Sequence, residues 1–284
     1  MRVGVFGAGG QMGTAVCKAV ADDPELSLVA AVDPRLSGID LSQVAGINGT
    51  GLEISGSKDF LVAAKAQVAV DFTSAQSAFN NMMWCAKHNI HGVVGTTGLS
   101  ADQLSQLEDA FEKSGANCIV APNFAIGAIL MMRFSEMASV FFDTVDIIEL
   151  HHDRKVDAPS GTAMETARRV SKFRETSQQP FAADPTSSTV LEGVRGGRYE
   201  QGIHVHSLRV RGMVAHQEVI FGTLGQTLTI RHDSYDRTSF MPGVLLAVKS
   251  VESISGLVKG MDVLIDAKLG LDRIEDTSKG GVSK

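Results

Sequence analysis

The first thirteen residues constrain this chain more than any other stretch. Arg2-Val3-Gly4-Val5-Phe6 is a short apolar run that ends in Gly7-Ala8-Gly9-Gly10-Gln11-Met12-Gly13. Met12, Ala15, Val16, Ala19 and Val20 then recur at helical spacing. A strand that enters a glycine-rich turn and leaves as a helix lets backbone approach a pyrophosphate at a helix N-terminus. Gly7 and Gly9 fit the first two positions of the usual dinucleotide fingerprint, but Met12 holds the third. Gly7-x-x-Gly10-x-x-Gly13 therefore describes the turn better.

The same rhythm continues downstream. Leu28–Val32 reads as a second buried strand and ends on Asp33, 20 residues past Gly13. An acidic side chain there accepts hydrogen bonds from ribose hydroxyls and repels a 2′-phosphate. Arg35 could offset that charge, but Pro34 stands between them, and Gln11 in the loop is neutral. NADH is expected to serve at least as well as NADPH. Val68–Asp71, a helix near 75–88, Gly92–Gly95, a helix opened by Ser100 and the run Cys118–Ala121 complete the alternation. Ser100 and Gln103 have capping-box spacing. The pattern predicts an α/β fold with a Rossmann-type doubly wound parallel sheet. Its ligand crevice should include the strand ends Asp71-Phe72-Thr73, Gly95-Thr96-Thr97-Gly98 and Ala121-Pro122-Asn123-Phe124.

After Pro122-Asn123 the pattern changes. A long apolar helix over about 126–141 carries Met131, Met132 and Met137, read as core, and Phe141-Phe142 are read the same way. A strand over Val145–Leu150, a helix near 161–174 and a polar loop over 175–201 follow. Three strand-like runs, His204–Arg211, His216–Thr223 and Gln226–Arg231, are joined by short glycine-containing turns, as a meander would be. Residues 236–254 read as helical, and the Ser/Gly/Lys-rich tail from Asp276 as disordered. The second domain is expected to be α+β with a mixed or antiparallel sheet. Residues 1–122 and 233–284 would form the dinucleotide-binding domain, and 123–232 the substrate-binding and tetramerisation domain.

Residues 149–162 carry the chemistry. Glu-Leu-His-His-Asp-Arg-Lys-Val-Asp-Ala-Pro-Ser-Gly-Thr places two histidines and two cations just before a helix start, with Ser160 suited to the N-cap. Proton donors, positive charge and an anion cradle side by side suit a reaction on a small carboxylate that needs a proton delivered. His151, His152 and Asp153 are also metal-ligand types, but consecutive strand residues point to opposite faces, so no metal site is expected. His204 and His206 share a strand face without a third ligand at usable spacing, and are read as flanking a groove or interface.

Composition excludes several classes. Net charge is −6 and no Lys/Arg-rich run is present, so nucleic acid is not an expected partner. The apolar runs are too short and interrupted to span a bilayer, and the strand over 1–6 leaves no room for a signal peptide. Cys17, Cys85 and Cys118 are widely spaced, which fits a reducing, cytoplasmic setting better than a disulfide framework.

Together these motifs resemble one family, the 4-hydroxy-tetrahydrodipicolinate reductases (dihydrodipicolinate reductases) of bacterial and plant lysine and diaminopimelate biosynthesis. The resemblance rests on Gly7 to Gly13, Asp71-Phe72-Thr73, Gly95-Thr96-Thr97-Gly98, Ala121 to Phe124, and above all the His151-His152 pair with Lys155-Val156-Asp157-Ala158-Pro159-Ser160-Gly161-Thr162. It implies NADH and/or NADPH as cofactor and a small cyclic dicarboxylate as substrate. It also implies a homotetramer whose second-domain sheets pair between subunits, and a C-terminal helix that completes the cofactor domain. His151 would be the proton donor and Lys155 the second catalytic group. His152, Ser160, Gly161 and Thr162 would hold carboxylates. Gly7, Ala8, Gly9, Gly10, Gln11, Met12, Asp33, Phe72, Gly95, Thr96, Thr97, Ala121, Pro122, Asn123 and Phe124 would line the cofactor. Arg195 and Arg198 read equally as added positive charge near the dicarboxylate or as a solvated loop. Many relatives carry Arg where this chain has Gln11, and some carry a basic residue in place of Pro34; both differences bear on NADPH preference. The rival readings are another two-domain dehydrogenase, such as a semialdehyde or homoserine oxidoreductase, and a non-catalytic NAD-sensing regulator.

Overall fold

A computed structural model describes residues 1–47, 50–176, 178 and 180–270; the tail from Asp276, read as disordered, lies outside them. The chain divides into two units, one of Met1–Phe124 with the chain from Phe240 onward, the other of Ala125–Ser239.

The first unit opens with β1 (Arg2–Phe6), the helix α1 (Gln11–Asp22) and β2 (Ser27–Val32). Two five-residue helices follow, α2 (Leu41–Ala45) and α3 (Asp59–Ala63). The alternation resumes with β3 (Val68–Asp71), α4 (Ala75–Lys87), β4 (His91–Val94), α5 (Ala101–Glu112) and β5 (Cys118–Val120). Every residue of β3 is buried, as befits a parallel strand covered on both faces. The capping box at Ser100 and Gln103 forms as its spacing predicts, with both reciprocal hydrogen bonds present.

The second unit begins with α6 (Ile126–Ser139), β6 (Thr144–His151) and α7 (Gly161–Thr176). Within the segment read as loop, α7 runs on to Thr176 and a two-residue strand, β7 (Gly197–Arg198), forms. β8 (His204–Arg209), β9 (Ala215–Thr223) and β10 (Gln226–Ser234) complete the sheet, whose order is β10-β9-β6-β8-β7. The expected meander is only half present. β9 and β10 form an antiparallel hairpin, but β8 pairs in parallel with β6, and β6 separates it from β9. β6 buries Val145, Ile147 and Glu149 along one face and pairs with both neighbours, so it takes the centre. The link after β8 stays bonded to β6, Val210 N–H donating to the His151 carbonyl, and then leads into β9 on the other side of β6.

α6 also departs from expectation. Met131 and Met132 are buried, but Met137 is 61% exposed; the helix ends at Ser139, so Phe141, 77% exposed, lies beyond it. The helix is apolar nearly all round, and only the stripe facing the sheet and α7 can be covered within the unit.

The chain then returns to the first unit through α8 (Met241–Ser250), β11 (Leu257–Lys259) and α9 (Asp262–Leu269). The strand order there is β11-β5-β4-β3-β1-β2, all parallel. Three-residue β11, like β7, has no counterpart in the sequence-based expectation. The order reverses at β1, with β2 on one side and β3 on the other, which creates a crevice at the carboxyl ends. Register aligns Val32, Phe6, Asp71, Val94 and Val120 in one row, so Asp33, Gly7, Phe72, Gly95 and Ala121 all stand one residue beyond it. The glycine turn and the later motifs therefore share one sheet edge.

Candidate active site

In the first unit, backbone shape builds the crevice. Gly7 has φ +65°, which disfavours a side chain. A Cβ on Gly13 would lie 1.9 Å from the Gly7 carbonyl oxygen, so helix α1 can approach the turn only without one. Gly10 N–H donates to that same oxygen at 2.9 Å, and the first helical bond is Thr14 N–H to the Gly10 carbonyl. The N–H groups of Gln11 to Gly13 precede it and so have no acceptor within the helix, and α1 has no acidic residue in its first turn. Gly7 and Gly13 thus have a conformational and a steric reason to be glycine, and a Cβ on Gly10 would sit a tight 3.2 Å from the Gly7 carbonyl oxygen.

Beside the turn lies a groove of about 920 Å³ lined by Gly7, Gly10, Asp33, Lys58, Phe72 and Thr73 among others. Asp33 is 2% exposed and accepts from Gly9 N–H and Arg35 N–H. Pro34 does not keep Arg35 away: the guanidinium Nε lies 3.4 Å from the Asp33 carboxylate, with the side chain otherwise in solvent. Lys58, which also lines the groove, lies over the Trp84 ring at 5.7 Å. Sequence reading missed Lys58, because it sits in an irregular segment brought beside Asp33 by the Asp33 N–H to Ser55 carbonyl bond.

Other expected cofactor residues play supporting parts. Ala8 has no exposed surface and its N–H donates to the Val32 carbonyl. Asp71 is fully buried and accepts from Thr73 N–H, Thr73 Oγ1, Asn81 Nδ2 and Thr96 Oγ1, which rigidifies the β3 and β4 ends. Gln11 is exposed and Met12 half-buried at the start of α1. Gly95, Thr96 and Thr97 follow β4, while Ala121, Pro122, Asn123 and Phe124 follow β5; they share the sheet edge but lie outside the groove lining.

In the second unit, charge builds the site. Glu149 and His151 are two residues apart on β6 and so share a face. His151 pairs across the sheet with Arg209 on β8, and Glu149 with Ser207. Glu149 is 0% exposed, and its carboxylate takes both arms of the Arg209 guanidinium at 2.8 and 2.9 Å. Ser160 N–H adds a bond at 3.1 Å, and His151 Nδ1 lies 2.5 Å from the second oxygen. Burial alone would raise the Glu149 carboxyl, but bonds from Arg209, Ser207 and His151 hold it below the usual range. Burial pushes the His151 ring below its ordinary value; Glu149 opposes this, and the Lys155 and Arg209 charges add to it.

Lys155 follows closely, with Nζ 2.7 and 2.8 Å from the Asp157 carboxylate oxygens. Ser160 is buried and its Oγ accepts from Ala163 N–H, capping α7 as expected. Gly161 and Thr162 start that helix. His152 is half-buried, and its Nδ1 makes no hydrogen bond among the described residues. Gly161 is not required by the fold, since a Cβ there would meet nothing within 4 Å. Arg195 is drawn elsewhere: it pairs with Asp146 and Asp184, which also meet His204, at the opposite end of β6 from His151. Asp153 pairs with Arg211 at 3.0 Å. Glu149 and Arg209 were given no role from sequence, although the two-residue spacing of Glu149 and His151 already placed them together.

Comparison with known proteins agrees along most of the chain. The family described as "Dihydrodipicolinate reductase, N-terminus" matches residues 1–124, and its C-terminal counterpart matches 127–264. A 4-hydroxy-tetrahydrodipicolinate reductase of Cutibacterium acnes is 46% identical over 266 residues, 93% of this chain and 98% of that protein. One from Desulfitobacterium hafniense is 43% identical over 268 residues, 94% of this chain and 99% of that protein. The solved structure of a dipicolinate-bound dihydrodipicolinate reductase from Paenisporosarcina sp. TG-14 superposes with a TM-score of 0.82 at 39% identity, covering 93% of this chain and 98% of that one. An amine dehydrogenase from Mycobacterium smegmatis shares the fold alone, with a TM-score of 0.60 at 14% identity over 91% of this chain and 94% of that one. The two family models together cover nearly all of the chain, these reductases are 43–46% identical over more than nine-tenths of it, and the chain belongs to the dihydrodipicolinate reductase family.

Proposed function

We infer that this enzyme reduces 4-hydroxy-tetrahydrodipicolinate, or dihydrodipicolinate, to tetrahydrodipicolinate in diaminopimelate and lysine biosynthesis, with His151 as the proton donor. The observation that carries the role of His151 is its bond to buried Glu149 beside the start of α7.

Bound NADH or NADPH supplies a hydride to one ring carbon of the substrate. Gly7 and Gly9 to Met12 would receive the pyrophosphate at the start of α1, Asp33 would take the ribose hydroxyls, and Phe72, Gly95, Thr97, Pro122 and Asn123 would extend the surface along the sheet edge, with Ala8, Thr96, Ala121 and Phe124 buried beneath it. The carbon next to the reduced position accumulates negative charge and must be protonated, and His151 delivers that proton from Nε2. Lys155 offsets the developing charge or holds a carboxylate, moving off Asp157 to do so. Ser160, Gly161 and Thr162 cradle one carboxylate at the N-terminus of α7, and the open Nδ1 of His152 serves as another polar contact. Adding freshly made dihydrodipicolinate to enzyme and NADH should make the NADH absorbance fall. NADH binding without oxidation would favour the sensor reading instead.

NADH should serve at least as well as NADPH, because the Asp33 carboxylate lines the groove, where it would accept from ribose hydroxyls and repel a 2′-phosphate. A kcat/KM ratio strongly favouring NADPH would refute this and point to Arg35 and Lys58. The β6–β8–β9 face away from the helices presents Ile148, Leu150, Leu208 and Ile220. This reading pairs that face with a second copy in a homotetramer, so a monomer by light scattering would refute it. The three buried free thiols support a cytoplasmic setting. Among the described residues, no helix is long and apolar enough to cross a membrane.

A further inference from the structure

We propose that Glu149 is a positioning residue for the reaction: it fixes the Nδ1–H form of His151, aims Nε2 at the substrate and ties the proton donor to the carboxylate cradle. The inference rests on His151 being the proton donor, as proposed above.

The argument starts from what a carboxylate can accept. Glu149 is fully buried, and a buried ionised carboxylate is tolerated only when paired and hydrogen-bonded. Its oxygens are occupied by the Arg209 fork, by Ser160 N–H and by His151 Nδ1. An ionised carboxylate is acceptor-only, so at the 2.5 Å contact the proton belongs on Nδ1 and the neutral ring must leave Nε2 as its open nitrogen. The ring can then take up and release a proton at one defined atom.

Arg209 has a separate effect. An unpaired buried carboxylate would drive His151 to a permanent imidazolium, a poor proton donor at neutral pH. The guanidinium cancels that charge while leaving the hydrogen bond, so His151 keeps its orientation without being locked in the charged form. Arg209 Nη2 also donates to the Asp157 carbonyl at 2.7 Å, two residues past Lys155. Ser160 N–H ties the same carboxylate to the first residues of the cradle. One buried group therefore sets the relative places of His151, the Lys155 loop and the start of α7.

The test uses the intact enzyme with its natural cofactor. Glu149→Gln preserves shape and removes charge, and should lower kcat by roughly 10- to 100-fold, less than loss of the general acid itself. It should move the basic limb of the pH profile to lower pH. Arg209→Met should move that limb the opposite way, because the remaining carboxylate then favours imidazolium. Opposite shifts would not arise from mere structural damage. Unshifted limbs, or shifts of the same sign, would overturn the proposal. Should either variant fail to fold, ¹⁵N NMR of the wild-type His151 ring decides: an Nδ1–H neutral form supports the proposal, and an Nε2–H form refutes it. His151→Gln, run alongside, separates the two readings: retained activity there would remove His151 as donor, whatever Glu149 does.

Discussion

The first unit makes its site from backbone and the second from charge. Around Gly7 the shaping atoms are a carbonyl, a positive φ and a helix that packs where no Cβ fits. Around His151 they are a buried carboxylate, a guanidinium fork and an imidazole. A pyrophosphate is bound by many weak N–H dipoles, so the first site needs close approach more than ionised groups. A proton must leave from one atom at one moment, so the second needs a group of fixed protonation and orientation. An added methyl should therefore break the first site, and a lost ionisable group the second.

The largest effect is expected at His151. His151→Gln keeps size and polarity but cannot deliver a proton, so kcat should fall by about 10²- to 10⁴-fold, the usual contribution of a general acid. Affinity for NADH, measured by fluorescence titration, should stay nearly unchanged because the substitution lies in the other unit. A near-wild-type kcat would remove His151 from the chemistry. Gly13→Ala is the converse experiment. Its methyl would lie 1.9 Å from the Gly7 carbonyl oxygen, so the turn or α1 must shift. Overpacking of this kind costs about 1–3 kcal/mol, visible as a lower Tm, and NADH affinity should fall with it. Unaltered Tm and affinity would mean that the turn is more plastic than its geometry indicates.

The two sites also differ in how much of them the sequence reveals. Backbone devices leave a local signature: Gly7, Gly10, Gly13 and Asp33 lie within one strand-helix-strand unit, and their spacing alone points to their use. The charged site is only partly local. Glu149, His151 and Ser160 are close in sequence, yet Arg209 arrives from a strand 58 residues beyond His151 through the parallel β6–β8 register. The meander expectation hid that partner, because it set β8 beside β9. Strand order is decided by which strand can be buried between two neighbours, which period-two patterning does not report. The exposure of Met137 has a similar cause, since an all-round apolar helix does not reveal which stripe the sheet will cover. β11 is too short for patterning to register, and it takes its place by pairing with β5.

A subtler consequence concerns pH. Burial holds the free-enzyme His151 below the ordinary histidine value, and the neighbouring cations add to that. The donor must be protonated to act, so kcat/KM should decline as pH rises through a midpoint below about 6.5. A bound dicarboxylate brings negative charge to the ring and favours imidazolium, so the midpoint in kcat should lie higher than that in kcat/KM. Coincident midpoints would mean that substrate charge does not reach His151.

Gly161→Ala carries the smallest expected effect and draws the contrast most sharply. Both Gly13 and Gly161 stand near the start of a helix proposed to hold an anion, so a purely local view gives them the same role. Their surroundings differ: the Gly13 methyl would strike backbone, whereas a methyl on Gly161 would meet nothing within 4 Å. Its φ also lies outside the left-handed region, so alanine is compatible with the backbone there. Stability should therefore change by no more than about 0.5 kcal/mol, and alanine inside the first turn could even favour the helix. Any cost must come from what binds. If the backbone of α7 approaches a carboxylate closely, substrate KM should rise several-fold while Tm and NADH affinity hold. If KM is also unchanged, the carboxylate is held by side chains such as Thr162 and Lys155, and the anion site of the second unit is built from charge alone.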